Sequence, residues 1–306
     1  MDPLLSPKQV ANAIGVSESS LKRWCDQGLL ASVKTAGGHR RISVSEALRF
    51  VREQNLSVVE PHLLGMTASD DRKSRRTEGC VERLAEALVA DNEQASRAII
   101  FDLFLAGQPL SQIFDEVIAV AFEQIGEKWE CHEVEIWQER CSCQIALRIL
   151  HELRGKQVPP QKDLIAMGAT IEGDYYSLPV TMAEIVLRSV GWDARLLGSS
   201  IPFDSMTNVL RSQKLELFWL SVSFITDEAT FVAGFNQFAD LAAETNTTLV
   251  IGGRALTANI RKQLRYSAFC DTMRHLEVFA LTLRGPSKPT SKKPEEQNTG
   301  TKDTSK

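Results

Sequence analysis

Residues 164–198, reading LIAMGATIEGDYYSLPVTMAEIVLRSVGWDARLLG, constrain the fold more than any other stretch of the chain. The run from Leu164 to Ile171 carries no charge, the pattern of a strand covered on both faces. Glu172, Gly173 and Asp174 interrupt it as turn formers. Leu178, Met182, Ile185, Val186 and Val190 then recur at helical spacing until Gly191 stops the helix. The WDARLL segment at 192–197 is short enough to be the next strand. Strand, loop, helix and strand make one right-handed crossover and predict a parallel sheet. Ligands of such sheets bind at the carboxyl ends of the strands, which points to the loop 172–179.

The alternation continues. Helices are predicted over 201–215, 228–246, 258–265 and 275–284, with strands over 217–223 and 248–251 and a short one at Phe269 and Cys270. Residues 161–284 therefore form a doubly wound, Rossmann-like domain. Ahead of it, residues 80–155 read as a four-helix bundle, with helices at 81–90, 91–106, 110–130 and 133–154. Leu84, Leu88, Ile99, Phe104, Val117, Ile125, Ile145 and Ile149 supply its interior. Residues 57–79 are polar and mixed in charge, as a linker is; there Arg72, Lys73, Arg75 and Arg76 are secondary candidates for phosphate contact. Residues 285–306, rich in Lys, Pro, Ser and Thr, read as a disordered tail. The fold class is thus multidomain, α and α/β.

The N-terminal domain, residues 1–56, differs in charge from the rest. It holds eight Lys or Arg against five acids, net +3, in a chain of net charge −4. A polyanion partner is expected to meet this head. Ser6 and Pro7 start one short helix and Gly15 ends it. Ser17 starts a second, closed by Gly28, so that a helix-turn-helix results. The segment LASVKTAGGHRRI at 30–42 reads as a hairpin wing, and a third helix over 45–53 packs behind it.

Ser20, Leu21, Lys22, Arg23, Trp24, Gly28, Leu29 and Leu30, followed by Gly37, Gly38, His39, Arg40 and Arg41, resemble the winged helix-turn-helix of the MerR family. The resemblance implies that the second helix enters the major groove of double-stranded operator DNA and the wing lies on the backbone. Ser19, Ser20, Lys22 and Arg23 are then the groove face, and His39, Arg40 and Arg41 the phosphate contacts.

The C-terminal part resembles a cobalamin-binding domain in Gly173-Asp174, the later Ser221 and Ser223, and Gly252-Gly253. Tyr176 stands where that family places the histidine that binds cobalt from below, and Pro179 replaces a glycine. Trp129 followed at the family spacing by Glu139 resembles the bundle motif of CarH-type photoreceptor regulators, with Arg140 in place of its histidine. The resemblance implies adenosylcobalamin as cofactor, capped by the bundle. Its nucleotide tail would slide between strands beside Ser221, Ser223, Gly252 and Gly253. Cofactor-binding candidates are thus Trp129, Glu139, Arg140, Asp174, Tyr176, Ser221, Ser223, Gly252 and Gly253. The replaced histidines leave two further readings open, atypical ligation and a cofactor-free fold kept for assembly or protein binding; haem is a minor one.

Cys141 and Cys143, two apart on a helix, face different sides, so no zinc site is expected from them with Cys131 and His132. Six cysteines in 306 residues do not form a disulfide framework, and no run suits a membrane span or secretory signal; a cytoplasmic location is expected. These observations together predict a transcriptional regulator, not an enzyme. Its sensor-like domain would control assembly into a homo-oligomer, dimer or tetramer, and through it operator binding. A protein partner is a further expectation of the cofactor-free reading. A cobalamin-dependent enzyme is the remote alternative, because it leaves the winged helix unexplained.

Overall fold

The computed structural model describes residues 3–35, 37–54, 56, 58, 60–64, 79–157 and 164–283. The N-terminal domain opens with strand β1 (Leu4–Leu5) and helix α1 (Pro7–Ile14). The Ser6 hydroxyl accepts from the Gln9 N–H, and the Gln9 side chain accepts from the Ser6 N–H, closing a reciprocal cap. Helix α2 (Glu18–Asp26) starts at Ser17. Strands β2 (Val33–Lys34) and β3 (Arg40–Ser43) pair antiparallel as the wing, with β1 on the other side of β3. Helix α3 (Val44–Glu53) packs behind them, and its Phe50 ring meets Trp24 of α2 at 5.1 Å.

The expected linker is corrected at its start. The Glu60 N–H donates to the Ala13 carbonyl, and Pro61–Leu64 forms a 3₁₀ turn that buries Leu64 in the domain core. An apolar side chain this close to the preceding domain is better placed in its core than in water. The rest of the linker from 65 to 78, including Arg72, Lys73, Arg75 and Arg76, lies outside the described residues, as does the tail at 285–306.

The bundle consists of α4 (Cys80–Val89), α5 (Glu93–Leu105), α6 (Leu110–Ile113), α7 (Ala119–Glu130) and α8 (Ile136–Gly155). Helices α6 and α7 form one rod joined by a π turn at Phe114–Ile118, where an unbroken α-helix was expected. The last helix begins at Ile136 rather than at 133, because Glu135 and Gln138 form a capping box there.

The α/β domain alternates β4 (Ile165–Ile171), α9 (Ser177–Ser189), β5 (Asp193–Ile201), α10 (Phe203–Ser212), β6 (Leu217–Ser221), α11 (Glu228–Glu244), β7 (Thr248–Gly252), α12 (Ala258–Arg261), β8 (Ala268–Phe269) and α13 (Met273–Leu283). The five strands are parallel in the order β5-β4-β6-β7-β8. Strand β5 runs on to Ile201, past its expected end at 197, while α10 and α12 are shorter than expected. Side chains alternate between the two faces. Met167, Ala169, Phe218, Leu220, Leu249 and Ile251 meet α10 and α11 on one face. Ala166, Leu217, Trp219 and Val250 meet α9 and α13 on the other.

That second face carries the bundle. The Arg154 Nε donates to Glu184 Oε1 at 2.7 Å, and Gln157 donates to the Ile185 carbonyl, joining α8 to α9. From the π turn, the Asp115 carboxylate accepts from the Met273 and Arg274 N–H groups at 2.8 and 2.9 Å. A carboxylate there offsets the positive end of α13. The bundle and the sheet are thereby fixed against each other around the strand ends.

Candidate cofactor pocket and nucleic-acid interface

In the N-terminal domain, Ser17 caps α2 by accepting from the Ser20 N–H at 3.1 Å, and its hydroxyl lies within 2.9 Å of those of Ser19 and Ser20. Ser19, Lys22 and Arg23 are exposed and Ser20 is half-buried. Lys22 pairs with Glu18 at 2.7 Å, a solvated pair that competes weakly with a phosphate. On the wing, His39 is exposed and Arg41 half-buried. Arg40 differs from its neighbours. Its guanidinium pairs with Asp26 and donates to the Lys22 carbonyl at 3.2 Å, so it ties the wing to α2. Asp26, which sequence reasoning passed over, is therefore part of this surface.

Glu46 completes the scaffold. Buried on α3, it accepts from the Ala31 N–H at 2.7 Å and pairs with Arg49, fixing the strand that leads into the wing.

A cavity of about 620 Å³ lies between the bundle and the carboxyl ends of β6 and β7. Trp129, Glu139, Arg140, Tyr176, Ser221, Ser223, Gly252 and Gly253 all line it. The crossover, the bundle and the α13 cap thus bring together eight of the nine cofactor candidates. Asp174, the ninth, is fully buried beneath the wall. Its Oδ1 accepts from the Tyr176 N–H at 3.0 Å, and its Oδ2 from the Ser223 and Phe224 N–H groups at 2.6 and 3.3 Å. The loops after β4 and β6 are therefore joined by this one carboxylate.

Arg140, 62% exposed, pairs with Glu139 at 3.4 Å. Cys143 donates to Glu139 as well, and burial followed by the Glu139 charge pushes its thiol up to about 12. Burial and then Asp271 push Cys270 up to about 11. Three residues of this site were not singled out from the sequence. Arg254 sits over the Tyr176 ring, 4.8 Å from its centroid, and donates to the Ser223 carbonyl at 3.5 Å. Trp219, 2% exposed, lies on the same face of β6 as Ser221, one step deeper along the strand. Gly168 is its register partner on β4.

This geometry tests the fit of cobalamin. No histidine lines the cavity, and both lining thiols are held in the neutral form. The Tyr176 phenol lies under a guanidinium. Among the described residues no three His, Cys, Asp or Glu side chains converge as a metal site. The glycine pair is occupied by the chain's own backbone: a Cβ on Gly252 would stand 2.4 Å from the Cys270 carbonyl oxygen, and one on Gly253 2.2 Å from that of Val222. The Trp219 indole fills the space beside Gly168 on β4 and reaches α9, where it donates to the Val180 carbonyl. The residues present do not fit a cobalamin ligated from below with its tail in the sheet.

Comparison with known proteins bears on both halves. Residues 4–55 match the model of a helix-turn-helix domain, and residues 80–154 that of a B12 binding domain. A curated relative, the HTH-type transcriptional repressor CarH of Myxococcus xanthus, is 24% identical over 202 residues, 66% of this chain and 62% of the relative. The match thus spans less than two thirds of that protein's length. The monomethylamine corrinoid protein of Methanosarcina barkeri superposes on 68% of this chain and over its whole length, with a TM-score of 0.54 and 18% identity, a likeness of fold. No helix among the described residues is long and apolar enough to cross a membrane. The chain thus joins a segment that matches a helix-turn-helix domain to one that matches a B12 binding domain, followed by an α/β unit with the fold of a corrinoid protein.

Proposed function

We propose that the protein is a DNA-binding transcriptional regulator, not an enzyme, whose bundle and α/β domain control self-association and thereby operator affinity. The observation that carries this reading is the surface formed by α2 and the wing. Ser19, Lys22, Arg23 and His39 are exposed, and Arg41 half-buried, around a junction held by Arg40 and Asp26. Exposed cations beside a capped helix start suit phosphate contact with base reading by a few short side chains. Linking two such heads multiplies affinity by raising the effective concentration of the second, which gives the C-terminal unit its regulatory lever. The partners are a duplex operator and further copies of the same chain, in a cytoplasmic setting.

The two readings of the C-terminal unit differ in what holds it together, bound cobalamin or the chain alone. The Trp219 indole in the tail path favours the second. The DNA assignment is tested by replacing Arg23 and Arg41 with Ala and titrating a duplex by anisotropy. Weakened binding is expected; unchanged affinity would remove these residues from the interface.

A further inference from the structure

We propose that Trp219 is a built-in occupant of the path that a cobalamin tail would take, so that this chain keeps the closed cobalamin-binding fold without taking up cobalamin. The inference rests on the cofactor-free reading above and goes further, naming what replaces the ligand.

Three sets of contacts carry it. Trp219 projects from the middle of the central strand toward α9, where its indole N–H donates to the Val180 carbonyl at 3.4 Å. A buried indole needs such a partner, and here the helix wall supplies it. On one side its register partner is Gly168, and on the other Val250. A Cβ on Gly168 would lie 2.1 Å from indole carbons Cδ2 and Cε2, so the missing side chain on β4 is the space into which the indole folds. The large residue and the absent one form a pair.

The second set lies at the strand ends. Asp174 joins the loops after β4 and β6, and Gly253 packs on the Val222 backbone. These bonds close the loops with groups of the chain itself. The third set is at the position of the missing histidine, where Arg254 covers Tyr176 and holds the Ser223 carbonyl. Cobalt would meet there a phenol under a fixed positive charge. A phenol there is a poorer ligand for a transition metal than a neutral imidazole.

The consequence is mechanical. With the sheet face filled by indole, the bundle seats on α9 and α13 through Arg154 with Glu184 and Asp115 with the start of α13, all contacts internal to the chain.

The experiment uses the full chain, incubated in the dark with hydroxocobalamin or adenosylcobalamin, freed of unbound cofactor by gel filtration and read by visible absorption. The wild type is expected to elute colourless; equimolar retained cobalamin would overturn the proposal. The double variant Trp219→Gly, Tyr176→His, with helical content checked by circular dichroism, is expected to retain the cofactor. A folded but colourless double variant would also overturn it. Should that variant not fold, Trp219→Ala is heated with and without free indole. Refilling the vacated space is expected to raise its midpoint by several degrees while the wild type stays unmoved, because ligands that bind only the native state stabilise it. No shift would contradict the occupant role. Duplex binding is measured on the same preparations, so failure of the DNA-binding assignment is scored apart from failure of the cofactor inference.

Discussion

Arg40 and Asp26 form an ion pair that joins the wing to the second helix of the N-terminal domain, and the same guanidinium donates to the Lys22 carbonyl. The relationship gives Arg40 a part in positioning the wing. Asp26→Ala removes a negative charge from a surface proposed to meet DNA, so simple electrostatics predicts tighter binding. The clasp predicts the opposite. Asp26→Ala should weaken duplex binding, because the charge-assisted hydrogen bond that positions Arg40 and the wing is lost. Anisotropy titration at fixed salt decides, and a gain in affinity would contradict the clasp.

Glu184 is 3% exposed at its side chain and pairs with Arg154. It also lies near Arg188, whose pKa is lowered, first by burial and then by Arg154. Glu184→Ala would leave two guanidinium groups facing each other at the seam. A loss of about 2 kcal/mol is expected, near the range for hydrogen bonds to charged groups. Denaturant unfolding measures it, with Glu184→Gln losing less.

The π turn owes its value to Asp115. Asp115→Ala would leave the first N–H groups of α13 without their cap and cost about 1 kcal/mol, as helix caps do. Hydrogen exchange should rise at Met273 and Arg274 before it rises in the sheet. Exchange unchanged at those two amides would remove the cap.

Cys143 and Cys270 titrate upward, to about 12 and about 11, so both remain thiols at pH 8. Alkylation proceeds through the thiolate, and burial slows it further. Iodoacetamide at pH 8 should therefore modify the exposed Cys131 well before either, as read by peptide mass spectrometry. Glu139→Gln should speed the reaction of Cys143, since the glutamate charge contributes to its raised value.

Much of this architecture is legible in the residues. The uncharged run at 164–171, followed by turn formers and a helical pattern, could be little other than a buried strand and its crossover. Cap residues marked α1 and α2 to within a residue. The cavity walls at Trp129, Glu139, Arg140, Tyr176, Ser221 and Gly252 could be located because motif spacing survives when individual side chains change. The π turn leaves no such mark, since a single extra residue in a helix alters no local pattern.

The role of Trp219 is hidden for a different reason. Strand β6, LFWLS, is buried on both faces, so alternation does not tell which face the indole takes. Its meaning emerges only when β4 lies beside it with Gly168 in register. Arg254 is similarly silent in the chain, because its partner Tyr176 comes from another strand end. The clasp between Arg40 and Asp26 likewise needs the hairpin to fold back on α2. Pairings of this kind are set by tertiary structure and not by local propensity.

The central claim is that the N-terminal domain reads duplex DNA, and selection of random duplexes by the full chain tests it most directly. The account predicts recovery of an enriched sequence whose affinity falls as salt rises, with a log–log slope reduced by about 1 in Arg41→Ala. Failure to enrich any sequence, together with binding indifferent to salt, would contradict it.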